Sequence, residues 1–208
     1  VCRTRPYGGQ RTKERQRPVT ADDILPLFSR PDGAYRFARW RRPVVPVVFG
    51  VEAATHAIVK GALEAVVASA GHRMAETDSE QGANLFIFFI RDWAEIDGVP
   101  ELDGLVPGMG EQARRLAQAG ADQYFHFRFE SDGAIRACVA FLRMAGPLQD
   151  EPAEDLALGL ALRVMLLWAE GALRTTPPLV RTGAGAALRP DIAALLRAAY
   201  DPALPATG

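Results

Sequence analysis

His56, His72 and His126 are the three imidazoles of this chain, and their spacing decides what metal chemistry the sequence supports. No two stand at i and i+4, the separation that puts a ligand pair on one helical face. A catalytic zinc needs about three protein ligands and an open position, so a histidine-held zinc is not expected. The serines, Ser29, Ser69, Ser79 and Ser131, lie outside any G-x-S-x-G elbow. Cys138 lies in an apolar, strand-like run with no histidine partner in its vicinity, and reads as a buried free thiol. The glycine-rich stretch from Gly104 to Gly110 precedes a helix, yet it lacks the Lys-Ser/Thr ending of a phosphate cradle and runs into Glu111. Gly183 and Gly185 fail likewise, with no strand before them.

Two constellations remain. Asp92, Glu95, Asp97, Glu101 and Asp103 make an acidic stretch between Ile90 and Leu105. A carboxylate pair does acid–base work only when it flanks a substrate, and closeness in sequence does not place it there. The stretch therefore reads first as a solvated loop. The enzymatic alternative is a hydrolase that uses carboxylates near Asp92–Asp103 together with Glu154 or Glu170. The second constellation is the polar side of a hairpin. Tyr124, His126 and Arg128 alternate along one strand, and Arg136 lies on the next. Together they could bind a carboxylate or a sugar, Arg offering a fork of donors and Tyr a polar-tipped plate; a plain solvent-facing strand is the competing reading. No catalytic residue, metal ligand or cofactor is assigned.

The elements that must position these residues follow from periodicity. Thr20-Ala21-Asp22-Asp23 caps a short helix through Phe28. Val44 to Phe49 is β-branched, and Pro43 and Pro46 make it an edge or first strand. A helix is predicted over Ala53–Ala70, stopped by Gly71. Asn84 to Ile90 is apolar on both faces and suits a central strand, and Asp92 to Gly110 reads as a long loop. A short helix over Glu111–Ala119 follows. Ser131-Asp132-Gly133 joins the strands Tyr124–Glu130 and Ile135–Leu142 in a hairpin. Glu154 to Leu173 reads as one long apolar helix with a stripe of Leu160, Val164, Leu167 and Trp168. Arg174 to Pro190 is irregular, and a last helix runs from Ile192 to Tyr200.

The chain has 208 residues, 49% of them hydrophobic, and a net charge of -1. The neutral balance argues against specific nucleic-acid binding. Lysine occurs only at Lys13 and Lys60, the composition of a GC-rich bacterial genome. The expected organisation is a basic flexible arm over residues 1–20, carrying Arg3, Arg5, Arg11, Lys13, Arg15 and Arg17, and a single α+β domain over 21–208 with a mixed sheet packed on helices. The arm is either a solvated linker or a tether to a protein partner. No transmembrane segment is expected, because Arg163 interrupts the longest apolar run. Cys2 raises lipid attachment after signal cleavage, against which Val1 precedes it; it could equally be free or disulfide-bonded.

Arg39-Trp40 with Pro43, the run Ala83 to Ile87, and Asp191, Leu195-Leu196-Arg197 and Tyr200-Asp201-Pro202 carry a resemblance. With the order helix, buried strand, hairpin strand and apolar helix, the chain resembles the core of a zincin-type metallopeptidase domain. It is similar to an uncharacterised proteobacterial family of lipoproteins. The resemblance implies a degenerate zincin-like fold, because the His-Glu-x-x-His that such enzymes carry on the last of these helices is replaced by Leu-Arg-Val-Met-Leu-Leu-Trp. The expected function is a non-catalytic binding or structural protein of the envelope or periplasm, a cytoplasmic location being the alternative. A third reading is a subunit of a larger assembly whose arm orders on its partner.

Overall fold

The computed structural model describes residues 20–76, 82–96, 99–175, 177–183 and 185–208. The arm before Thr20, Cys2 and Asp97 lie outside them. The chain is a single α+β fold built on a mixed four-stranded sheet. Helix α1 (Ala21–Phe28) opens on Thr20, whose N–H and hydroxyl both donate to Asp23 Oδ2. Strand β1 (Pro46–Phe49) leads through α2 (Ala53–Ser69) to β2 (Leu85–Ile90), which lies parallel beside it. Gly71, at φ 69°, ends α2: its N–H reaches Ala68 O and that of His72 reaches Val67 O. This double bond needs a left-handed residue, which glycine supplies without strain.

After β2 the expected long loop is structured. Asp92 caps a 3-10 turn at Trp93–Glu95, then come α3 (Pro100–Leu105) and α4 (Met109–Gln118). The acidic residues are what make this a structured segment. Asp92 Oδ1 accepts from Ala94 N, Glu95 Oε1 from the N–H groups of Arg91 and Asp92, and Asp103 Oδ1 from Met109 N. Asp92 and Glu95 accept from donors at the start of the 3-10 turn, and Asp103 is a second acceptor for Met109 N, which also reaches Val106 O.

Strands β3 (Gln123–Phe129) and β4 (Ile135–Arg143) form the expected hairpin, and β4 lies parallel to β2, giving the order β1-β2-β4-β3. β2 is an inner strand, as its two-sided apolar run requires. One face of the sheet, with Leu85, Ile87, Cys138, Ala140 and Leu142, packs on α2 and on α5 (Ala153–Met165). The other, with Ile90, Val139 and Phe141, packs on Trp93, Ile96, Met109 and Ala113. The chain closes with α6 (Ala172–Thr175), a hairpin of β5 (Leu179–Thr182) and β6 (Gly185–Leu188), and α7 (Pro190–Ala199). The segment read as irregular therefore holds a two-stranded sheet. Among the described residues no helix is long and apolar enough to cross a membrane.

The long helix expected over Glu154–Leu173 is divided. α5 ends at Met165, and Leu166 is extended. Propensity alone would continue it, but tertiary partners capture its end. Trp40 Nε1 donates to Val164 O at 2.6 Å, the Tyr200 hydroxyl to Met165 O, and Trp168 Nε1 to Leu162 O at 3.2 Å. The chain then turns to hydrogen-bond Ala38 O through Leu167 N. Leu167 and Trp168 thus belong to the turn beyond the helix and not to a helical stripe. Arg39 completes the clasp: Nη2 donates to Asp201 O and Leu204 O, and its cation lies 5.6 Å from the Tyr200 ring centre.

Tyr200→Phe leaves Met165 O buried without its donor and is expected to cost about 1–3 kcal/mol. Tyr35→Phe, on an exposed ring, should change stability by less than about 0.5 kcal/mol. Urea denaturation midpoints of the two variants check this.

Candidate functional site

The hairpin residues singled out by the sequence meet only in part. Tyr124, His126 and Arg128 alternate along β3 opposite Phe141, Val139 and Ala137. Their face is the one that α4 and the Trp93 turn cover. Tyr124 packs beside Phe141, ring centres 6.4 Å apart, and its burial raises the phenol above its ordinary range. His126 is half-buried; desolvation, then the Arg128 cation, lower its proton affinity. The pairing shifts between Arg128 and Phe129, so Phe129 lies opposite Ile135, and Arg136 is the extra, exposed residue of β4. This bulge breaks the alternation that would have aligned Arg136 with the other three. Neither described cavity is lined by any of the four.

Of the acidic stretch, Asp92, Glu95 and Asp103 hold backbone N–H groups, and none of these three lines either described cavity. Among the described residues no three His, Cys, Asp or Glu side chains come close enough to hold a metal ion. Cys138 is buried on the α2 and α5 side of the sheet, and burial pushes its thiol far above its usual range. His72 packs against Tyr200 with ring centres 5.0 Å apart, and its Nε2 donates to Arg42 O at 2.8 Å. Burial lowers its proton affinity, and the Arg39 and Arg73 cations lower it further against the opposing pull of the Arg42 carbonyl.

The arrangement with chemical potential lies over α5. A cleft of about 350 Å³ opens between this helix, the start of β3 at Gln123 and the stretch from Pro177 to Arg181. A single stripe of the helix faces it: Asp155, Leu156, Gly159, Leu160 and Arg163. Residues three and four apart share a helical face, so the stripe follows from spacing alone. Leu156 and Leu160 are buried and make an apolar floor. The Asp155 carboxylate is nearly enclosed and pairs with Arg181 at 2.5 Å. The Arg163 guanidinium lies 6.0 Å from the Phe125 ring centre, within range of a cation–π contact. Glu151 stands exposed at the rim near the helix start. A second cavity, about 330 Å³, runs along β1 between α2 and residues 74–76, with Lys60 and Glu76 3.6 Å apart at its mouth.

Gly159 is the informative residue of the cleft. A glycine inside a helix costs about 1 kcal/mol relative to alanine. Crowding is the usual structural reason for one, and it is absent here: a Cβ at Gly159 would meet nothing within 4 Å. Nor is its φ positive. It lines the cleft without a side chain. Sequence reading passed over this site because the helix is apolar in bulk. The signal was there in Asp155, Gly159 and Arg163, which interrupt that apolarity at four-residue steps on one face. Comparison with family models, curated proteins and solved structures finds no significant match. The zincin-type resemblance therefore rests on the order of elements and the short motifs alone.

Gly159→Ala should raise stability by up to about 1 kcal/mol in urea denaturation. His72 is held neutral by the fold, so its contribution is present above the unfolded value near 6.5 and is lost as pH falls through the lowered folded value. Stability should decline on acidification below about pH 6.5, and His72→Asn should flatten part of that slope. His126 shares the direction, so the difference between wild type and the variant isolates His72.

Proposed function

We propose that this chain is a non-catalytic binding domain whose ligand occupies the cleft over α5. The observation that carries this reading is Gly159, a helix-weakening residue whose missing side chain keeps an amphipathic cleft open where alanine would fit. The lining supports binding over turnover. Its charges are Glu151, Asp155, Arg163 and Arg181, its walls Pro152, Pro177 and Pro178, and among the described lining residues there is no imidazole, thiol or hydroxyl side chain. Asp155 is engaged by Arg181, so its carboxylate is occupied by an ion pair. The reading of a zincin-like scaffold without its metal finds support in the place of α5, which follows the β3–β4 hairpin across a 3-10 turn at Gly146–Asp150 and packs against the sheet. The envelope location belongs to the same proposal and draws on the resemblance.

A ligand-observed NMR screen of a mixed small-molecule library against the full chain tests this. The expected hits perturb resonances of α5, Gln123 and Leu179, and lose affinity in Gly159→Leu but not in Arg128→Gln. Turnover of a bound compound that disappears in Asp155→Asn or Glu151→Gln would overturn the non-catalytic reading.

One observation favours the assembly-subunit reading as a second. Phe49, at the edge of the sheet, is 43% exposed and begins an aromatic row with Phe88 and Phe141, ring centres 4.7 and 5.1 Å apart. A partner on that edge would cover it. Light scattering of wild type and Phe49→Ser separates an oligomer from a monomer.

A further inference from the structure

We infer that two copies of this chain join through the outer edge of β3, antiparallel and centred on Phe125, into one continuous sheet, at the sheet edge opposite Phe49 and in addition to any ligand of the cleft. The strand order leaves β1 and β3 as the two edges. Arg143 N bonds to Asp122 O, which fixes the alternation along β3. Tyr124, His126 and Arg128 turn their backbone groups to β4, and Gln123, Phe125 and Phe127 turn theirs outward. Among the described residues no backbone bond is made to these three on the outer side. The β1 edge offers less. Leu85 N bonds to Val45 O, so Pro46 and Val48 point outward there, and proline has no N–H to give. β3 carries neither the proline nor the lysine that commonly keeps an edge from pairing. Its register shift comes only after Arg128, beyond the three outward residues.

The partner is a second copy because the strand matches its own inverse. Asp122, Tyr124, His126 and Arg128 follow one another on one face. Centred on Phe125, Asp122 meets the second copy's Arg128 and Tyr124 meets its His126, each pair occurring twice. Opposite charges and aromatic rings set directly across a strand pair stabilise it. Arg128 is exposed and has no ion pair among the described residues. Asp122 gives Oδ1 to Arg143 at 2.5 Å and stays 27% exposed, so Oδ2 can take a second cation. On the other face Phe125 and Phe127 lie half-buried at the border of the larger core, and the second copy would cover them. Other centres fit worse. Centring on Tyr124 sets Phe127 against Ala121, whose carbonyl already accepts from Trp93 Nε1. Centring on His126 carries the pairing across the bulge and sets Asp122 against Glu130. The row of Tyr124, His126 and Arg128, which lines neither described cavity, thereby has a use.

Analytical ultracentrifugation of the full chain over a concentration series tests the inference. Wild type is expected to pass from monomer to dimer as concentration rises. Arg128→Asp sets a carboxylate against Asp122, and Asp122→Arg sets a guanidinium against Arg128. Each variant alone should weaken the dimer by about tenfold or more, from two opposed charge pairs. Mixed in equal amounts, the two variants should form a dimer again, because every charged pair across the seam is then opposite in sign. A role confined to the fold of one chain gives no such rescue. Should Asp122→Arg fail to fold, a disulfide tests the register. Hydrogen-bonded antiparallel partners have Cα atoms about 5.5 Å apart, within disulfide reach. Phe125→Cys in a Cys2→Ser background should therefore cross-link two copies on mild oxidation, and Arg128→Cys should not. A wild type that stays monomeric at every concentration, or a dimer untouched by both charge variants, overturns the inference. A dimer lost in Phe49→Ser and kept in Arg128→Asp also overturns it, and leaves assembly through the β1 edge standing.

Discussion

The last turn of α5 is the constraint on which the rest of the structure depends. A helix that ends inside a core leaves carbonyl groups with no intrahelical partner, and no water reaches them. Here Leu162, Val164 and Met165 are fully buried. Their carbonyls are met by three aromatic side chains, Trp168, Trp40 and Tyr200, from three separate parts of the chain. Each aromatic has an apolar body that tolerates the core and one polar atom that reaches the carbonyl, the combination such a position demands. The segment around Trp40 and the end of α7 are thereby tied to the same helix terminus. Arg39 extends the tie by holding the carbonyls that follow α7.

This explains why the short motifs Arg39-Trp40 and Tyr200-Asp201 stand out in the sequence while carrying no reactive group. They meet in space, and their task is to close the fold around α5. His72 belongs to the same cluster through its contact with Tyr200 and its bond to Arg42 O. Its reluctance to take a proton is a consequence of that packing. With one end of the helix buried in this way, the polar stripe on its flank is left to face the cleft.

The sheet divides the remaining roles. Its face toward α2 and α5 holds the larger core, including Cys138, whose thiol burial pushes up. Its other face rests on a compact layer assembled from caps, in which the acidic residues after β2 hold helix starts together. Carboxylates engaged by backbone donors are not free to flank a substrate. The proposed binding site lies elsewhere, where paired charges stand over an apolar floor beside Gly159.

Much of this was legible in the residues. The two-sided apolar run of β2, the Asp-Gly hairpin, the helix stop at Gly71 and the spacing of the three histidines follow from local rules of period, turn chemistry and ligand geometry, which act within a few residues. The length of α5, the bulge that separates Arg136 from Tyr124, His126 and Arg128, and the use of the acidic stretch as caps were decided by tertiary structure. In each case the deciding partner lies outside the local window or depends on strand register, which periodicity does not encode. The sequence by itself determined that α5 would be largely apolar and would carry no histidine or cysteine. Only the fold decided where it would end and which flank would face the cleft, because both depend on buried carbonyls finding donors more than a hundred residues away in Trp40 and on the far side of the chain in Tyr200.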